Sequence, residues 1–277
     1  MRLDGGAMFG NAPRALWQRW VTPDGRNMID IGSRALLIRT GSENILFETG
    51  VGAYLSPEMK KRFQIVEDHH VLLNSLKDIG LTHEQITCII LSHLHFDHAG
   101  GLLKKWQADN KGIELLFPNA AIFVGKENFL RSSEPHLRDR AAFIPGLSDL
   151  LGKSGRLHFI KDKDHLSFGP VKIEFVKSHG HTPGMMMSFI KTDGIKILFA
   201  SDMAPGHVWV NLSITMGYDR FPEKLIEEKQ KIFQKVLDEK AWIFYTHDVL
   251  YAASKLSFDK EKKRFIPIDF IQDLENI

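Results

Sequence analysis

The stretch His93-Leu94-His95-Phe96-Asp97-His98 constrains this chain more than any other. Three imidazoles and a carboxylate within six residues are costly to hold together unless something neutralises and orders them. Imidazole combined with carboxylate suits Zn²⁺, and also Mn²⁺, Fe²⁺ or Co²⁺. The apolar run 87–91 just upstream reads as a buried strand, so the histidines fall where a rigid sheet presents ligands from a loop. One ion needs about four ligands, and this loop could serve a single metal. Geometry favours a different division. Alternate residues His93 and His95 can face one way while Asp97 and His98 face another, each pair then needing ligands from elsewhere. The sequence offers His181 in Gly180-His181-Thr182-Pro183-Gly184, Asp202 after the apolar run 195–200, and His247 after the run 242–245.

The rest of the chain supplies the scaffold. Runs 35–38 and 44–47, separated by Thr40-Gly41-Ser42, read as a β-hairpin that ends at Glu48-Thr49-Gly50. Leu72, Leu73, Leu76 and Ile79 recur at helical spacing, with Gly80 as the C-terminal stop. Thr82-His83-Glu84-Gln85 has the capping-box pattern of a short second helix. Run 121–124 predicts a strand leading into a helix near Glu127. Val171, Ile173 and Phe175 alternate as a half-buried strand does, and runs 185–190 and 195–200 predict two more. Leu225, Ile226, Ile232, Phe233, Val236 and Leu237 mark an amphipathic helix, followed by a short strand over 242–245. Strands followed by helices in both halves imply an α+β chain, with two sheets packed together and helices outside. Residues 4–20 mix Gly, Pro and aromatics and read as an irregular arm.

Bulk properties exclude several classes. With 277 residues and 43% apolar content the chain can bury a sizeable core, and one domain over 1–277 with an N-terminal arm over 1–25 is expected. The formal charge of +2 comes from scattered Lys and Arg, so no nucleic-acid partner is expected. The dense run Lys260-Glu261-Lys262-Lys263-Arg264 reads as a solvated turn or helix face. No apolar stretch approaches ~18 residues, and the N-terminus lacks a charged-then-apolar leader pattern, so neither a membrane span nor export is expected. Cys88 is the single cysteine, set in an apolar run, and reads as a buried inert thiol that fits a cytoplasmic location.

The His-x-His-x-Asp-His motif, followed by a Gly-His-Thr turn, a strand-end Asp and a strand-end His, resembles the metal-binding series of the metallo-β-lactamase superfamily. The matching stations run from about residue 30 to 250 and keep the family's order. The resemblance implies the four-layer αβ/βα metallo-β-lactamase sandwich. It implies two divalent ions, Zn by default with Fe or Mn also suited. His93, His95 and His181 would hold the first, Asp97, His98 and His247 the second, and Asp202 would bridge both. The implied chemistry is a metal-bridging hydroxide attacking a carbonyl or phosphoryl centre, with Asp97 orienting the nucleophile and passing a proton to the leaving group.

Residues 4–17, and the segment from Asp202 to Met216-Gly217-Tyr218-Asp219, further resemble the YtnP-like quorum-quenching N-acyl-homoserine lactonase branch and its methyl parathion hydrolase neighbours. Flavodiiron-type members place Glu where His95 stands, Cys88 lies outside every ligand station, and about thirty residues after His247 are too few for the glyoxalase II helical region. The expected activity is opening of a lactone, such as an N-acyl-homoserine lactone, or cleavage of a related ester. The alternatives are an organophosphorus triesterase or arylesterase, and a metal-binding sensor without turnover. The chain departs from the pattern at Glu48, where Asp is usual, at Met185 and at Ser201. Pro205 stands where homoserine lactonases carry a Tyr, leaving Tyr218 as the candidate for that catalytic role, and His207 sits out of register with the branch's histidine.

Other residues stay open between two readings. Phe9, Trp17, Phe96 and Trp209 would line an apolar substrate pocket or pack in the core. Met185-Met186-Met187 reads as core strand, His69-His70 as a surface pair at a helix start, and His179 as a surface or structural residue rather than an orienting partner of His181. The aromatic and Met content of the arm suggests a homodimer contact.

Overall fold

The computed structural model describes residues 1–109 and 112–274. The chain separates into two compact units, one formed by Met1 and residues 33–162, the other by residues 2–32 and the chain from Lys163 onward.

The arm opens the second unit. Strand β1 (Arg2–Asp4) pairs antiparallel with β2 (Met28–Asp30). Between them lie two short helices, α1 (Gly5–Phe9) and α2 (Arg14–Trp17), the first capped by the Asp4 carboxylate on the Ala7 N–H. The expected irregular arm is therefore ordered. Its order comes from packing that local pattern cannot reveal: the Phe9 ring stacks between Trp17 and Trp209, at centroid distances of 5.3 and 4.7 Å, and both Phe9 and Trp17 are buried. Phe9 and Trp17 thus pack within their own unit.

In the first unit β3 (Leu36–Arg39) and β4 (Asn44–Phe47) form the expected hairpin. Helix α3 (Pro57–Arg62) follows, then α4 (Val71–Asp78). Gly80 takes φ +75°, a left-handed stop after α4. The Thr82 capping box is present, over one 3₁₀ turn, His83–Gln85. His70 corrects the surface-pair expectation: it is buried and caps α4 through Leu73 N. Strand β5 (Cys88–Ile90) leads to α5 (Phe96–Ala99). Then come β6 (Ala121–Gly125), α6 (Lys126–Ser133), α7 (Leu147–Lys153) and β7 (Leu157–Ile160). The sheet order is β3-β4-β5-β6-β7, with β4 to β7 mutually parallel. Its core gathers Leu46, Ile89, Leu91, Leu94, Ile122 and Val124 with helix residues such as Leu76 and Leu151.

The second unit resumes with β8 (His165–Phe168), β9 (Val171–Ser178), β10 (Met185–Lys191) and β11 (Lys196–Phe199). Helix α8 (Pro222–Glu239) crosses to β12 (Trp242–Phe244), which pairs parallel with β11, the connection that parallel neighbours require. Strands β13 (Ala253–Asp259) and β14 (Arg264–Ile271) close the sheet as a hairpin. Lys260 to Lys263 of the charge run form its turn, one of the two readings, and Arg264 begins β14. The order is β14-β13-β12-β11-β10-β9-β8. All three methionines 185–187 are buried, two of them in the core with Phe189, Leu198 and Phe233. Among the described residues no helix is long and apolar enough to cross a membrane.

Candidate metal centre

Strand polarity decides where the donors go. In the first unit β4 and β5 are parallel neighbours, so Glu48 and His93 emerge at the same, carboxyl-terminal, edge. Ser92 is pinned there by Glu48, whose Oε1 accepts its N–H at 3.0 Å. Leu94 N–H donates to the Oδ1 of buried Asn128 at 2.9 Å, in the first turn of α6. Thr49 donates twice to the His98 carbonyl, from N at 2.8 Å and from Oγ1 at 2.9 Å. Close approach of the two loops needs Gly100 and Gly101: a Cβ on Gly101 would lie 2.0 Å from the Thr49 carbonyl oxygen, and one on Gly100 2.3 Å from that of Val51.

These restraints bring His93, His95, Asp97 and His98 into one cluster. The His93 ring lies 4.0 Å from the His98 ring and 4.4 Å from the His95 ring. Helix α5 brings the His98 ring back against that of His93. His98 Nε2 is 3.7 Å from Asp97 Oδ2, and Ser92 Oγ is 2.8 Å from His93 Nδ1. Glu48 completes a buried trio: donor atoms of Glu48, His93 and His98 all lie within 4.8 Å of one another. Glu48 Oε2 is 3.6 Å from His98 Nδ1, and its backbone takes φ +63°, which a non-glycine residue adopts at a cost. The departure from Asp at this position thus places a longer carboxylate against His98.

In the second unit β9, β11 and β12 run in the same direction, so the residues after them share an edge. His181, Asp202 and His247 come together there. His181 Nε2 is 3.2 Å from Asp202 Oδ2, and His247 Nε2 is 3.0 Å from Asp202 Oδ1. The far nitrogens are tied back: His247 Nδ1 lies 2.8 Å from the Gly32 carbonyl oxygen, and His181 Nδ1 lies 2.9 Å from Asp219 Oδ1. A carbonyl only accepts, so His247 Nδ1 carries the proton, and a neutral His247 turns its Nε2 lone pair toward a carboxylate. The same holds for His181 against Asp219. Acceptors facing acceptors in a buried site repel unless a proton or a cation lies between them. Neutral imidazoles whose second nitrogen is fixed by carboxylate or carbonyl are the usual arrangement around a bound divalent ion, and the donor set fits that role.

Beside this trio, Asp248 accepts from His207 N at 2.8 Å and pairs with His207 Nδ1. Burial works to raise the Asp248 carboxyl, but His207 and the surrounding backbone amides outweigh it and hold it below the usual range. His179 Nδ1 accepts from Gly184 N, a structural role within the turn that carries His181. Tyr218 is exposed at 46%, one residue before buried Asp219.

Phe96 and the other pocket candidates part company. Phe9 and Trp17 are core, with Trp209 stacked on Phe9. Phe96 instead lines a cavity of about 250 Å³ with Tyr54, Met59, Phe63 and Phe143. Burial pushes the Tyr54 phenol well above its usual range, and the Asp97 charge adds to this. Sequence reasoning missed Tyr54, Asn128, Asp219, Glu228 and Lys229. Lys229 left a readable signal, since it falls on the apolar stripe of α8 between Leu225 and Phe233, where a lysine needs a buried partner.

The sequence profile described as the metallo-beta-lactamase superfamily matches residues 29–247. An N-acyl homoserine lactonase of Bacillus sp is 25% identical over 232 residues, covering 82% of this chain and 78% of that protein. The N-acyl homoserine lactonase AiiA of Bacillus thuringiensis subsp. kurstaki is 24% identical with the same coverage. Among solved structures, a probable metal-dependent hydrolase from Staphylococcus aureus superposes with a TM-score of 0.84 at 26% identity, covering 100% of this chain and 94% of the other. AidC, a dizinc quorum-quenching lactonase in complex with its product, gives 0.73 at 22% identity, covering 100% and 92%, a likeness of fold.

Proposed function

Because the chain belongs to the metallo-beta-lactamase superfamily, matched over residues 29–247, we propose that it is a dinuclear-metal hydrolase that opens an N-acyl-homoserine-type lactone or cleaves a related ester. The observation that carries this reading is the Asp202 carboxylate flanked by the Nε2 atoms of His181 and His247 at 3.2 and 3.0 Å. In this reading His93, His95 and His181 hold one ion, Asp97, His98 and His247 the other, and Asp202 serves both.

Two divalent ions, Zn by default, would supply Lewis acidity that brings a water to nucleophilic strength near neutral pH. The protein's own groups do the rest. Asp219 and the Gly32 carbonyl hold His181 and His247 in the tautomer that leaves Nε2 as a donor atom. Asp97, half-buried at the edge of its cluster, would orient the nucleophile and return a proton to the leaving alkoxide. Tyr218 is assigned to the substrate carbonyl. The cavity beside Phe96 takes the apolar tail, its aromatic walls matching an acyl chain better than a charged group. Burial pushes the Cys88 thiol up to about 12, which makes it inert.

The test is a hydrolysis panel on Zn-loaded protein of verified metal content. It covers homoserine lactones of several acyl lengths, simple γ- and δ-lactones, paraoxon-type triesters and thioesters. Preferential turnover of acylated lactones is expected. Preference for triesters would replace the lactone with a phosphoryl substrate, and no turnover of anything with two ions bound would refute the enzyme reading.

A further inference from the structure

Helix α8 carries two adjacent residues that hold two different segments. Glu228 accepts from Ser178 Oγ at 2.6 Å, from His179 N at 3.0 Å and from Gly180 N at 3.1 Å, so it grips the turn that delivers His181. Lys229, fully buried, donates to the Trp209 carbonyl at 3.0 Å and to the Ile214 carbonyl at 2.7 Å, two points on the loop that delivers Asp219. That loop is closed locally by Asp219 itself, whose Oδ2 accepts from Met216 N at 2.6 Å. The two gripped segments meet where His181 Nδ1 faces Asp219 Oδ1 at 2.9 Å, and Arg220 N–H donates to the His181 carbonyl at 3.0 Å.

We propose that Glu228 and Lys229 are positioning residues that set the His181–Asp219 pair from a single turn of α8. A leucine or methionine at 229 would continue the stripe Leu225, Ile232, Phe233, Val236 without the cost of burying an ammonium. What the ammonium adds is a fixed distance from the helix to carbonyls 209 and 214. Burial lowers the Lys229 ammonium to about 8, while the Asp219 charge works to raise it, so it stays largely charged at neutral pH. The turn at 179–181 is held just as closely: a Cβ on Gly180 would lie 2.4 Å from Leu225 Cβ. One rigid element therefore references both partners of a hydrogen bond that fixes the His181 ring. Residues that orient metal-binding imidazoles in this way are worth about 10–100-fold in metal affinity when removed.

This inference rests on His181 being a metal ligand, and the experiment separates the two. Zn²⁺ affinities of the full-length protein are measured by competition with a chromophoric chelator, beside the melting temperature. The variants are Lys229→Met, the milder Glu228→Gln, His181→Ala as reference, and Val236→Ala as a destabilised control in the same helix. Lys229→Met and Glu228→Gln are expected to weaken, by about 10–100-fold, the one affinity that His181→Ala abolishes, leaving the other within about threefold. Val236→Ala lowers the melting temperature and leaves both affinities in place. Should Lys229→Met fail to fold, Glu228→Gln decides alone. If both positioning variants melt like Val236→Ala with unchanged affinities, the pair is merely structural and this inference falls while the ligand assignment stands. If His181→Ala leaves both affinities intact, the assignment fails and takes the inference with it.

Discussion

His70 Nε2 lies 3.0 Å from the carbonyl oxygen of Gly101, which fixes its tautomer. With the proton on Nε2, Nδ1 is free to accept from Leu73 N at 3.4 Å and caps α4. Protonation would remove that acceptor and bury a charge. Burial, reinforced by His83, lowers the folded imidazole below 6.5 despite the Gly101 carbonyl, which works to raise it. The unfolded chain therefore binds the proton more readily between the lowered folded value and 6.5. The stability His70 contributes is fully present above pH 6.5 and is lost as pH falls through the folded value. His70→Gln should cost about 1 kcal/mol at pH 8, the usual worth of a cap. Urea unfolding of both proteins at pH 8 and pH 5.5 should show that cost shrinking on the acid side. A cost that stays constant or grows would reject the neutral cap.

Metal removal should destabilise strongly. Six of the proposed donors, His93, His95, His98, His181, Asp202 and His247, are buried. An ion at about a thousand times its Kd stabilises the folded state by about 4 kcal/mol. For a chain of this size that corresponds to about 10 °C in melting temperature. Chelator treatment followed by Zn²⁺ return should lower and then restore the melting point. The effect should fade below pH 6, where protons compete for the imidazoles. An unchanged melting point after verified metal loss would contradict the assignment.

Asp97→Asn separates metal binding from proton transfer. Asparagine keeps an oxygen that can face an ion but cannot carry the proton. If Asp97 returns a proton to the leaving alkoxide, kcat should fall by about 10²–10⁴. The loss should be smallest for substrates whose leaving group needs no protonation, such as nitrophenyl esters. Full activity with two ions bound would assign the proton step elsewhere.

Much of this molecule was legible because its signals are local. The hairpin at β3–β4, the α4 stop at Gly80, the strand before His93 and the stripe of α8 all follow from spacing and turn chemistry within a few residues. The candidate donors were legible for the same reason, being chemically distinctive residues directly after strand-like runs. What was not legible depends on distant partners. Nothing near Phe9 reveals that Trp209, two hundred positions later, stacks on its ring. Asp219 was visible as a residue but not as the partner of His181, because the loop 209–219 takes its position from Lys229 on the following helix. His70 looked like a surface residue because a polar pair at a helix start usually is, and only the return of Gly101 buries it.

Phe9→Ala tests the corrected reading of the arm. Phe9 is fully buried between two indole rings, so truncation should cost about 3–5 kcal/mol. The measurement is the melting temperature together with kcat/KM for short- and long-chain acyl lactones. Stability should fall while the ratio of the two specificity constants stays within about twofold. A collapse of that ratio with little stability loss would return Phe9 to the substrate pocket.

Phe96→Ala should behave in the opposite way. Phe96 sits between His95 and Asp97 and packs against Phe63 at 4.7 Å, in the wall of the 250 Å³ cavity. That volume admits several methylene groups. Each methylene withdrawn from water is worth about 0.8 kcal/mol, close to fourfold in kcat/KM when the contact persists in the transition state. A decanoyl lactone should therefore be preferred over a butanoyl one by the intact protein. Removing the Phe96 ring opens the wall to water, so this preference should drop by at least about tenfold while short-chain turnover changes by less than about threefold. Metal content should be unchanged, since none of the proposed donors is altered. Equal losses for both chain lengths would mean that Phe96 supports the His95–Asp97 backbone instead of the substrate tail.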